Sequence, residues 1–126
     1  MTKKELSQLY NLNREIELET KRLKEFEEES NNISGLPHID ILANASIAAQ
    51  IEDCKTIIDA KQRAAVAEYN RLMRYIASID DSLTRQIISL RYVNGFNWTQ
   101  VAMHIGGGNT ADSVRMIHNR FLSIGK

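Results

Sequence analysis

From Thr2 to Ser30 the apolar side chains stand at Leu9, Leu12, Ile16, Leu23 and Phe26, in alternating steps of three and four that Glu19 interrupts once. These are a and d positions of consecutive heptads, and the residues between them, such as Glu15, Glu17 and Lys21, are mostly charged. The pattern predicts an amphipathic helix with a narrow seam and a solvated outer face. SNNISGLPH, Ser30 to His38, breaks it. Asn31, Asn32 and Ser34 compete for the backbone, Gly35 offers a left-handed cap, and Pro37 cannot continue a helix.

From Asp40 to Ile79 the helical rhythm returns, with Ile51, Ile58, Ala65, Leu72 and Ile79 one heptad apart. Ile47, Ile57, Tyr69, Met73 and Ile76 widen the stripe, whereas Lys61 and Glu68 stand where a tight seam wants apolar groups. Asn44 to Ser46 are poor interior formers and mark a place for a kink. A reversal at 30–38 would let the two arms pack as an antiparallel hairpin. The same seam would also serve a coiled-coil dimer, so both arrangements stay open.

The rhythm then shortens. Asp80-Asp81-Ser82 provides N-cap candidates for a helix with Leu83, Ile87, Leu90 and either Ile88 or Tyr92 on one face, ended by Asn94-Gly95. Asn97 or Thr99 opens a second helix with Trp98, Val101, Ala102 and Ile105 inward, ended by Gly106 to Gly108. Asn109 or Thr110 opens a third, with Val114, Ile117, Phe121 and Leu122 spaced for burial. The expected architecture is all-α: a helical hairpin or coiled-coil arm over 1–79, and a tri-helical unit over 80–126.

Composition agrees, since one proline and six glycines, three of them consecutive, leave few helix breakers. The lone cysteine, Cys54, excludes an intramolecular disulfide and reads as a small buried hydrophobe in a reducing compartment. No apolar run approaches a membrane span, so a soluble intracellular protein is expected. Net charge is zero but uneven. Residues 1–36 hold six Lys/Arg against eight Asp/Glu, and residues 80–126 hold five against three. A mildly basic C-terminal unit permits nucleic-acid binding without demanding it.

The run Leu83-Thr84-Arg85-Gln86-Ile87-Ile88-Ser89-Leu90-Arg91-Tyr92, followed by Gly95, Trp98 and Val101-Ala102, resembles region 4 of bacterial sigma factors. It resembles most closely the short helix-turn-helix proteins encoded by phages and prophages. Thr110, Val114, Arg115 and Ile117 match that family's recognition helix, and the resemblance spans Leu83 to Leu122. It implies a DNA-binding transcriptional regulator in the cytoplasm of a bacterial host. The resemblance implies contact with RNA polymerase as well, and the heptad seam offers a homodimer through the N-terminal helices as the other way to act. Two departures stand out: the turn Gly106 to Asn109 is longer than the family's, and Asp112 counters Arg115, Arg120 and His118.

With Val114, Ile117 and Phe121 inward, the third helix would turn Asp112, Ser113, Arg115, Met116, Asn119 and Arg120 outward. Arg115 suits guanine and Asn119 adenine, while Thr110 and Ser113 suit phosphate or base. Arg85 and Arg91 would reach phosphates from the first helix. Two other functions fit the same pattern: a protein-interaction module that never touches DNA, and a small terminase-like DNA-packaging subunit. Catalysis, a cofactor and a metal are not expected. The GGGN run lacks the strand before it and the Lys-Ser/Thr after it that a phosphate loop needs. His38, His104, His118 and Cys54 have no ligand spacing, and no nucleophile adjoins a base.

Overall fold

The computed structural model describes residues 1–34 and 41–124, and every regular element among them is helical. In chain order they are α1 (Lys3–Leu6), α2 (Gln8–Ser34), α3 (Ile41–Ala77), α4 (Ser82–Ile88, extended by a π-helical turn Ser89–Val93), α5 (Trp98–Ile105) and α6 (Ala111–Ile124). The protein is all-α. Its chain groups into two compact units, residues 12–65 and residues 1–11 together with 66–126. The division therefore does not follow a cut at 79/80, because the ends of both long helices belong with the short ones.

In the unit of residues 12–65 the heptad reading is visible as burial. The residues of α2 withdrawn from solvent are Leu12, Ile16, Glu19, Leu23, Phe26, Ser30 and Ile33, while the positions between them are exposed. On α3 they are Ile47, Ile51, Cys54, Ile58, Lys61 and Ala65. Cys54 is a buried free thiol within this seam. The polar intruders are answered by partners: Glu19 pairs with Arg22, and Lys61 Nζ reaches Glu15 Oε2 of the facing helix at 2.5 Å. Such half-buried pairs add little stability but penalise a slipped register.

Three expectations change here. α2 continues through Ser30, Asn31 and Asn32 to Ser34, because Ile33 extends the seam and packing outweighs weak local propensity. The Gly35–His38 part of the expected break lies outside the described residues, as does the expected helix start at Asp40. α3 is helical through Asn44 to Ser46. The stripe on α3 is also narrower than expected: Ile57, Tyr69 and Met73 are exposed, as is Val66. The heptad seam is covered from within the chain, so a homodimer through the N-terminal helices would need another face.

The second unit begins with α1, capped by Thr2, whose Oγ1 accepts from the Glu5 amide at 3.2 Å. Leu6 and Leu9 are buried, as are Leu72, Ile76 and Ile79 toward the end of α3. Arg71 ties the two elements, donating to the Glu5 carbonyl at 3.3 Å while paired with Glu68 at 2.6 Å. Glu68, the second polar intruder, is thereby satisfied.

The three short helices close around Ile87, Val101, Ala102 and Val114, with Leu83, Leu90, Phe96, Trp98, Ile105 and Ile117 packed against them. Asp81 caps α4, its carboxylate accepting from the Thr84 amide at 3.0 Å and the Thr84 hydroxyl at 2.6 Å. Those bonds hold its pKa below the ordinary carboxylate value. Asn97 and Gln100 form a reciprocal capping box at the start of α5. Both Ile88 and Tyr92 are buried: they stand four residues apart on one side of the helix, so the two alternatives for that face hold together. Beyond Ile88 the helix loosens into the π-helical turn, where the Asn94 amide bonds back to the Ser89 carbonyl.

Candidate nucleic-acid interface

The placement of α6 is decided by the turn before it. Gly106, Gly107 and Gly108 all have positive φ, 70°, 64° and 80°. The Asn109 amide closes the turn onto the Gly106 carbonyl at 3.2 Å, so two successive left-handed residues sit between them, as mirror-image turns require. A Cβ at Gly106 or Gly108 would meet nothing within 4 Å, so the demand for glycine is conformational. A left-handed backbone costs other residues roughly 1–2 kcal/mol each. The long turn is thus an ordered one. Thr110 then caps α6: its Oγ1 accepts from the Ser113 amide at 3.1 Å, and Ser113 Oγ accepts from the Thr110 amide at 2.9 Å.

One face of α6 is buried through Val114 and His118, with Ile117, Phe121 and Leu122 half-buried beside them. The opposite face carries Asp112, Arg115, Met116, Asn119, Arg120 and Ser123, all exposed. Arg115, Met116, Asn119 and Arg120 therefore share one surface, as their spacing predicts. Ser113 is half-buried and, with Thr110, occupied in capping.

His118 is not among the surface charges. It is fully buried, with Nε2 2.5 Å from the Tyr92 hydroxyl, Nδ1 2.9 Å from Asn119 Oδ1, and its ring edge-on to Trp98 at 4.8 Å. The carboxamide oxygen can only accept, so Nδ1 donates to it and Nε2 accepts from the phenol. Burial lowers the pKa of the imidazole below its usual value, the Asn119 bond opposes this, and the charges of Lys3 and Arg91 add to it. The signal for this residue was its step of four from Val114, which places it on the buried face. With Asn119 Oδ1 engaged, one lone pair and the amide nitrogen remain for a base.

The arginines expected on phosphates all have intramolecular partners. Arg85 Nη1 donates to the carbonyls of Ile79 at 2.6 Å and Asp80 at 3.0 Å, closing the end of α3. Arg91 Nη1 donates to the Phe96 carbonyl at 2.9 Å, and its guanidinium lies 4.6 Å from the centre of the Trp98 ring. Both are half-buried and fix the geometry of the unit. Arg115 pairs with Asp112 at 3.0 Å, with both side chains largely in water. No family model, characterised protein or solved structure matches this chain. Its chemistry therefore rests on these residues alone.

Charge follows the structural units more sharply than it follows sequence thirds. The unit of residues 1–11 and 66–126 has nine Lys/Arg against five Asp/Glu, a net +4. The unit of residues 12–65 has seven against eleven, a net −4. The exposed face of α6 belongs to the positive unit.

Proposed function

We propose that the protein is a sequence-specific DNA-binding transcriptional regulator of the phage type, acting with RNA polymerase or as a dimer, with α6 as the helix that enters the major groove. The observation that carries this reading is the two-faced α6. Val114, Ile117 and His118 hold it to the unit, and a capped N-terminus behind an ordered glycine turn presents Arg115, Met116, Asn119 and Arg120 outward. A recognition helix reads base edges with such residues near its N-terminal half. In this role Arg115 addresses a guanine, Met116 a thymine methyl, and Asn119 an adjacent base. The resemblance to sigma region 4 over Leu83 to Leu122 points the same way.

The test is titration of the purified protein against captured genomic duplexes at low salt. Arg115→Ala is expected to weaken binding to the preferred site by about 1–3 kcal/mol and relax specificity at one base pair. Asp112→Asn is expected to strengthen binding, because it removes a like charge to phosphate and releases Arg115. Unchanged affinity in both variants would remove α6 from the interface.

A second reading, a protein-interaction module, has its own observation. Met103, Met116 and Ile124 are 76%, 57% and 77% exposed around α5 and α6. Co-purification of polymerase by a protein that ignores DNA would select it.

A further inference from the structure

The compact unit that holds α6 also holds α1, although more than a hundred residues separate them in the chain. A groove of about 680 Å³ runs between them, lined by Met1–Glu5 on one side and by Asn119, Leu122 and Ser123 on the other. Asn119 and Ser123 lie on the exposed face of α6, so the groove borders the face assigned to DNA. Lys3 and Lys4 are both exposed on α1. We propose that Lys3 and Lys4 are phosphate-binding residues of the same interface, holding the sugar-phosphate backbone beside the groove that α6 enters. This rests on the DNA-binding reading and extends it beyond the three short helices.

Three observations support the assignment. The first is availability. Among the described residues of this unit, Arg71, Arg85, Arg91 and Arg115 are held by acidic side chains or carbonyls. Lys3, Lys4, Arg74 and Arg120 have side chains with no such partner there. Two of those four cations sit on α1. The second is fixation. The Thr2 cap, the buried Leu6 and the Arg71 bond to the Glu5 carbonyl hold the turn that carries both lysines, so little backbone freedom is lost on binding. The third is proximity, since the charge of Lys3 is felt at His118 within α6. Phosphate contacts position a reader without reading sequence, which is work that a compact ammonium performs well.

The experiment compares salt dependence for the full chain and two variants on two duplexes of equal length, the best captured site and its scrambled version. Each phosphate contact contributes about 0.9 to the slope of log K against log salt. K3Q/K4Q is expected to make that slope shallower by about two on both duplexes, with the preference between them unchanged. K3R/K4R is expected to retain the wild-type slope. Both variants should melt with the wild type, because neither lysine side chain has a partner among the described residues. Wild type that binds DNA together with an unaltered slope in K3Q/K4Q overturns this assignment and leaves α6 as the reader. Wild type that binds neither duplex at low salt overturns the DNA-binding reading itself, and this assignment with it.

Discussion

Ile87→Ala is expected to lower the stability of the unit that carries α6 by about 2–5 kcal/mol, the range for deleting a fully buried aliphatic side chain. Ile87 is wholly enclosed, at the point where α4 meets Val101 and Ala102 of α5 and Val114 of α6. All three helices are short, α4 having seven residues before its π-helical turn and α5 eight. Helices of that length are marginal alone and persist through tertiary packing. The cavity therefore weakens the one cluster that all three share. Urea titration should show a lower midpoint with an unchanged slope, the mark of lost stability without loss of compactness. Ile57→Ala, at a position 41% exposed on α3, is the control and should shift the midpoint little. Equal losses at the two positions would mean that the shared cluster does not govern the stability of the unit.

What could be read in advance follows from how local each signal is. The seams of α2 and α3 announce themselves by their seven-residue period, and the same positions are withdrawn from solvent. The caps at Asp81, Asn97 and Thr110 were among the candidates at each helix start, because capping is a contact between residues three apart. Hidden from the sequence are contacts that neither the capping rule nor the heptad covers. Arg85 and Arg91 match a binding motif in sequence, yet their guanidinium groups are drawn to the carbonyls of Ile79, Asp80 and Phe96, which no period marks. The π-helical turn at Ser89–Val93 leaves no compositional trace. His118 reads as one of the bases of the third helix by residue type, although its spacing from Val114 places it inside.

The same locality explains the candidate interface. A window of sequence ending at residue 126 sees five basic residues and misses Lys3 and Lys4, which only the fold brings beside α6. Residues 66–79 add Arg71 and Arg74 to this unit against Glu68, and residues 1–11 add the two lysines against Glu5. The resulting net +4 is still small for a tight DNA binder, and its arginines are mostly engaged. Modest, salt-sensitive affinity is the expected behaviour, with a second copy or a tethering partner raising the effective concentration.

Stability is expected to fall as pH drops below about 6.5, the unperturbed histidine value, and His118 should account for the fall. The imidazole accepts from Tyr92 and donates to Asn119, an arrangement that only the neutral ring can make. A second proton, on Nε2, would need Tyr92 to turn its hydroxyl hydrogen away from the ring. Desolvation is the leading opposition. The positive charges that face the ring, Lys3 from α1 and Arg91 from the π-helical turn, strengthen it, and the Asn119 bond only partly offsets them. Trp98, the remaining ring neighbour, is neutral. The folded pKa is therefore the lower one. Between it and about 6.5 the unfolded chain binds a proton that the folded protein refuses, so the contribution is complete above that window and lost as pH falls through it. The slope for one proton is at most about 1.4 kcal/mol per pH unit. His118→Gln keeps an acceptor for Tyr92 and does not titrate, so its midpoint should be less pH-dependent than the wild type's between pH 7 and 5. A fall in the His118→Gln midpoint as steep as the wild type's would place the titrating group elsewhere.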